Sequence, residues 1–172
     1  MANPPPITKP RVMLDVNVLV AGSIWPRWPY AVLQHALKGD FQLVLAPLIL
    51  EAARRNIRDI DARQLPRFER FLEDCAYELV EDPTRQEVKR NLGLVRSEAD
   101  VPIALAAINA QVDYFVTYDA DFTDENESTA QVRRAIPGII LPPVFLRDVL
   151  GWTSEELESI RDRDWDDFGE QP

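Results

Sequence analysis

The sequence predicts a three-layer α/β/α sandwich, a mainly parallel central sheet with helices on both faces. Four short segments are rich in aliphatic and β-branched residues: 11–20, 42–46, 113–117 and 138–141. Helix-patterned segments alternate with them. Strands that alternate with helices pair in parallel, because each crossover helix carries the chain back to the starting edge.

The elements follow in order. The first strand, "RVMLDVNVLV" over 11–20, is apolar except for Asp15 and Asn17. Residues 29–38 form a helix that opens on Pro29 and ends before Gly39. "QLVLA" (42–46) is the second strand, and the next helix, 47–59, starts on Pro47, a favoured first position. Residues 64–76 place Leu65, Phe68, Phe71, Leu72 and Cys75 close to helical spacing. A helix over 100–111 begins at Asp100 as N-cap with a nearby proline. "DYFVT" (113–117) and "GIIL" (138–141) complete the strands, and 118–130 reads as a mobile acidic loop. Helices over 142–150 and 153–162 end the chain. The second carries Thr153 and Glu156 at the spacing of a capping box.

With 172 residues, 46% of them hydrophobic, the chain suits one domain with a sizeable core. Its expected organisation is a proline-rich leader at 1–10, a domain over 11–150 and an acidic helical extension at 151–172. No apolar run is long enough to span a bilayer. The leader lacks the apolar stretch of a secretory signal. Cys75 is the only cysteine, which rules out an intrachain disulfide and a thiolate metal cluster and fits a reducing cytoplasm. The net charge of −10 opposes casual nucleic-acid binding. It is unevenly spread, because residues 153–172 carry eight acids against two bases.

An unpaired carboxylate in an apolar strand is costly, so Asp15 needs a partner, a strand end or a cation. In a parallel sheet, function gathers beyond the carboxyl ends of the strands. Chain direction puts Asp15, Glu51, Asp100 and Asp119 at that edge, with Asp121 and Asp124 close behind. Each has a plain structural reading: Asp100 as a helix cap, Glu51 paired with Arg54 or Arg55, Asp119 and Asp121 in a solvated turn. Taken together they point to hard divalent cations, Mg²⁺ or Mn²⁺, bound by oxygen ligands. Such a metal can orient a water and polarise a phosphodiester.

The order "MLDVNVLVAG … APLILEAARR … SEADVPIALAAINAQVDYFVTYDADF … GIILPPVFLRDVL" resembles the PIN-domain ribonucleases, including the VapC-like toxins of toxin–antitoxin pairs. The resemblance covers about 11–150. It implies Mg²⁺- or Mn²⁺-dependent endonucleolytic cleavage of RNA, with an antitoxin protein as partner; a homodimer is left open. It places the family's four acids on Asp15, Glu51, Asp100 and Asp119, with Asp121 as an accessory metal ligand. Asn17 and Thr117 match its supporting polar positions. Family members commonly carry Thr where this chain has Val16, and the acidic extension is not part of the common core.

Two other classes stay open. An aspartyl-phosphate phosphotransferase would also begin with a strand leading to Asp15, but it wants a second acid where Asn17 stands and a downstream lysine. A non-catalytic binding module would keep the fold with an idle site. Arg54, Arg55, Arg58 and Arg63 are candidate RNA-phosphate contacts, with Arg85, Lys89, Arg90 and Arg96 as a second group. Both groups also read as solvated helix faces. Trp25 and Trp28 could stack an RNA base, although packing a loop onto the core is the commoner use of such residues. His35 reads as a helix-face residue and Cys75 as core. The acidic extension, with Trp165 and Phe168, raises one more idea: that it folds over basic residues as a nucleic-acid mimic.

Overall fold

The computed structural model describes residues 9–168. Nearly all of the leader and the last residues of the extension lie outside that range. The described chain forms a five-stranded sheet with every neighbouring pair parallel, in the order β3-β2-β1-β4-β5. The strands are β1 (Arg11–Leu14), β2 (Gln42–Leu45), β3 (Glu78–Leu79), β4 (Tyr114–Val116) and β5 (Gly138–Ile140). Val12, Met13 and Leu14 are fully buried, as befits a central strand covered on both faces.

The first strand is shorter than the sequence suggests. It ends at Leu14, and Asp15 becomes the N-cap of helix α1 (Val16–Ile24), with φ −67° and ψ 160°. The carboxylate accepts the Val16 N–H at 2.8 Å, which starts the helix. The apolar run continues past Asp15 because α1 is buried nearly all round, packed against its neighbours α2 (Trp28–Lys38) and α3 (Pro47–Asp61). Gly22 permits the close approach of α2: a Cβ there would lie 2.7 Å from Leu33 Cδ1. Gly39 closes α2 in the left-handed conformation at φ 77°.

Helix α3 buries Ile49, Leu50, Ala53 and Ile57 along one face. A short 3₁₀ turn (Ala62–Gln64) leads into α4 (Leu65–Asp74), which buries Phe68, Phe71 and Leu72. The edge strand β3 and helix α5 (Arg85–Arg90) were not expected from the sequence. A 3₁₀ turn at Glu98–Asp100 precedes α6 (Val101–Asn109), so Asp100 is the last residue of that turn and its side chain makes no capping hydrogen bond. The segment read as a loop holds α7 (Ala120–Thr123) and the start of α8 (Ala130–Ala135). Helices α9 (Pro142–Asp148) and α10 (Ser154–Ile160) follow. The capping box at α10 forms as expected, with Thr153 and Glu156 exchanging bonds of 3.1 Å. A last 3₁₀ turn spans Trp165–Phe168.

The chain order changes direction at the centre of the sheet. From β1 it winds to β2 and β3 on one side, then crosses to β4 and β5 on the other. The gap between the carboxyl ends of β1 and β4 is therefore a topological switch point, where parallel α/β folds open a cleft.

Candidate metal-binding active site

Asp15 leaves β1 at that switch point and Thr117 leaves β4 beside it. The Asp15 N–H donates to the Val116 carbonyl at 2.9 Å, joining the two strand ends. Asp15 is only 4% exposed, and each of its carboxylate oxygens has a partner. Oδ1 accepts from Val16 N; Oδ2 accepts from the Thr117 hydroxyl at 2.7 Å and from Asn17 Nδ2 at 3.4 Å. Burial pushes the Asp15 pKa up, and the Thr117 and Val16 bonds hold that rise back. Asn17, expected within the first strand, reaches the site from the first turn of α1. Its Oδ1 accepts the Tyr118 N–H at 3.3 Å, so it ties α1 to the segment after β4. Val16 is buried at the first position of α1.

Thr117 is fully buried and has two roles. Its hydroxyl donates to Asp15 and accepts the Asp119 N–H at 2.9 Å. Asp119 then caps α7, its Oδ1 accepting the Asp121 N–H at 2.9 Å. The hydroxyl thus sets the spacing between two acids from different strands.

Asp100, Asp119 and Asp121 each offer a carboxylate oxygen, and these oxygens lie within 4.8 Å of one another. The crowding has a cost. The Asp100 pKa is pushed up to about 7, first by burial, then by the charge of Asp119 and a hydrogen bond to it, and further by Asp15 and Asp121. One local cation compensates: Arg96 Nε donates to Asp121 Oδ1 at 2.7 Å. Four aspartates from three parts of the chain therefore act on one another electrostatically. An all-carboxylate oxygen donor set of this spacing fits a hard divalent cation such as Mg²⁺ or Mn²⁺, which would relieve the repulsion.

Glu51 lies outside the group of three close oxygens. Asp15, Asn17, Asp100 and Asp119 line a groove whose α3 wall is Ala52, Arg55, Asn56 and Ile60. Glu51 is exposed and lines a neighbouring groove with Arg54, Arg55 and Arg58. The reason is helical geometry. At about 100° per residue, Ala52 and Asn56 flank the buried Ile49–Ala53–Ile57 stripe, while Glu51 points away from it. Arg55, one turn on from Glu51, lines both grooves, so Glu51 stands beside the acidic groove. Sequence reasoning also missed Arg96 as an ion-pair partner in the site.

The basic candidates separate as well. Arg54 pairs with Glu69 at 2.6 Å and Arg63 with Asp61 at 2.9 Å. Arg55 and Arg58 make no ion pair among the described residues, and Arg55 lines both grooves. In the second group, Arg96 is held by Asp121, while Arg85, Lys89 and Arg90 lie on α5. No lysine lines the acidic groove, so the lysine that phosphoryl transfer to Asp15 would want is missing there. His35 is structural: it accepts from Trp152 Nε1 at 2.8 Å and meets Asp40 at 2.7 Å. Cys75 is buried at the end of α4.

Among the described residues, no helix is long and apolar enough to cross a membrane. Two solved structures share the fold. PAE2754 from Pyrobaculum aerophilum superposes with a TM-score of 0.53 at 18% identity, covering 83% of this chain and 96% of its own. VapBC2 from Rickettsia felis, bound to a DNA fragment from its promoter, gives a TM-score of 0.51 at 19% identity, covering 76% and 96%. No curated protein gives a significant match. The sequence profile of the PIN domain matches residues 11–121, and the chain belongs to that family.

Proposed function

We propose that this chain is a divalent-metal-dependent endoribonuclease of the VapC kind, acting on RNA and restrained by an antitoxin protein. One observation carries the reading: the carboxylate oxygens of Asp100, Asp119 and Asp121 lie within 4.8 Å of one another at the switch-point edge. Family membership and the fold shared with VapBC2 support it.

Asp100, Asp119, Asp121 and Asp15 would hold the cation. Bound there, Mg²⁺ or Mn²⁺ supplies an oriented, acidified water and a Lewis acid for a phosphodiester oxygen. The chain's own residues do the rest. Thr117 and Asn17 fix the Asp15 carboxylate, so no rotamer freedom is lost when the site is used. Asp100, with its raised pKa, is the carboxyl that holds a proton near neutral pH and releases it when the local charge falls. Arg55, at the rim, is the side chain placed to meet an RNA phosphate entering from the α3 side. Arg96 offsets part of the charge that Asp121 brings to the cluster.

A non-catalytic module is the second reading. It draws on α3, which presents Ala52 and Asn56 to the groove rather than an acid. Cleavage of single-stranded RNA by the purified chain with Mn²⁺ tests the choice. The nuclease reading expects products that vanish with chelator and with Asp15→Asn. Intact RNA, with Mn²⁺ heat still present by calorimetry, would favour the idle module.

A further inference from the structure

We propose that Trp25 is the base-stacking residue of the cleft, and that the C-terminal extension is a strap that holds it in place. The proposal rests on the ribonuclease reading and adds to it how the RNA is gripped.

The two tryptophans near the end of α1 behave differently. Trp28 is half-buried, and its Nε1 donates to the Leu157 carbonyl at 2.9 Å, so it anchors the extension. Trp25 is 40% exposed and lines the same groove as Asp15, Asp100 and Asp119. Ile60, 58% exposed, lines that groove too, with Arg55 and Asn56 as polar neighbours. A large exposed indole beside a carboxylate site, with an arginine on the same wall, has the makeup of a single-stranded RNA platform. The indole offers a face to a base, and the arginine meets a phosphate.

The position of Trp25 is fixed from outside the groove. The carbonyls on either side of it are both held by side chains of the extension. Trp165 Nε1 donates to Ile24 O at 2.9 Å, and Arg163 Nε donates to Pro26 O at 2.7 Å. Arg27 returns the contact, its Nε donating to Arg163 O at 3.2 Å. Trp165 is itself clamped: the Arg67 guanidinium lies 3.6 Å from its ring centroid, and Tyr30 meets it edge-on at 5.2 Å. Two backbone carbonyls flanking one exposed residue, each bound by a residue more than a hundred positions away, are a device for orienting that residue. The acidic extension thus engages Arg27 and Arg67 on this side of the molecule. It makes no hydrogen bond or ion pair with Arg54, Arg55, Arg58 or Arg63 among the described residues, which leaves the mimic idea without support there.

The test uses the full chain with Mn²⁺ and a pool of random-sequence single-stranded RNA, then a defined substrate drawn from the cleaved sequences with abasic sites placed one at a time. Trp25→Ala should raise KM by roughly 5- to 150-fold, the range for loss of one base–aromatic stack, with kcat little changed. Trp25→Phe should restore most of it. One abasic position should weaken the wild type and leave Trp25→Ala unmoved. Trp165→Phe keeps a ring under Arg67 and removes the N–H to Ile24; it should raise KM less than Trp25→Ala, and the double variant should be no worse than Trp25→Ala alone. If every abasic site weakens both enzymes equally, or Trp25→Ala leaves KM unchanged, the stacking proposal is wrong while the nuclease reading stands. If the Trp25 and Trp165 effects multiply independently, the strap is wrong. If the wild type cleaves nothing in the pool, the nuclease reading fails and takes this proposal with it.

Discussion

The hydroxyl of Thr117 donates to Asp15 Oδ2 across 2.7 Å, joining the end of β4 to the end of β1 inside the core. The same oxygen accepts the Asp119 N–H. A single side chain therefore positions acids from both sides of the switch point.

Thr117→Val keeps the shape and removes that oxygen, leaving a buried carboxylate short of a donor. The expected loss of stability is about 1–3 kcal/mol by urea unfolding, with Thr117→Ser close to wild type. Mn²⁺ affinity should fall about 10- to 100-fold, as for other groups that orient ligands. A Thr117→Val protein with unchanged stability and affinity would show that the bond is incidental.

The metal-free protein should lose stability as pH rises. Asp100 carries a raised pKa of about 7 against an ordinary 3.8, so folding opposes its ionisation. The sign follows from linkage: the unfolded chain gives up this proton near pH 4, the folded chain only near 7. The associated stability is full below about 4 and is lost as pH rises towards 7. Thermal melts across that range should show the decline in wild type, a smaller one in Asp100→Asn, and a flatter profile with saturating Mn²⁺.

Glu51→Gln should leave RNA cleavage within about twofold of wild type, because an exposed acid outside the groove adds little to a short-range site. A loss as large as that of an aspartate variant would place Glu51 among the working acids, reaching the site from the neighbouring groove.

Arg55→Ala should weaken RNA binding and flatten its salt dependence, lowering the slope of log K against log salt by about 0.7 for one lost contact to a single strand. Arg54→Ala should change that slope little, since Arg54 is held by Glu69. Binding titrations at several salt concentrations separate the two.

Much of this architecture was legible in the sequence. The aliphatic runs marked β1, β2, β4 and β5, and the alternation with helices gave a parallel sheet. The oddity of Asp15 and the "TYDAD" run put acids at the carboxyl ends of β1 and β4, where the structure has them. The strand-to-helix change at Asp15 was hidden, because α1 is buried nearly all round and shows no polar face to break the apolar run. β3 was hidden for the opposite reason: it is two residues long and both are exposed. Helix α5 is short, polar and without a buried residue, so neither period nor hydrophobicity marks it. Glu51 was placed by distance along the sheet edge alone; the rotation of its helix sets it in the neighbouring groove, which shares Arg55 with the acidic one. The split between Trp25 and Trp28 depends on contacts with the extension, far away in the chain, which local pattern cannot reveal.

The most direct measurement is RNA cleavage by the purified chain as Mn²⁺ is titrated, wild type against Asp119→Asn. The account predicts that wild-type activity rises to saturation with Mn²⁺ and is abolished by chelator, and that Asp119→Asn loses most of that activity. Activity that survives the chelator, or an Asp119→Asn protein that cleaves as the wild type does, would contradict it.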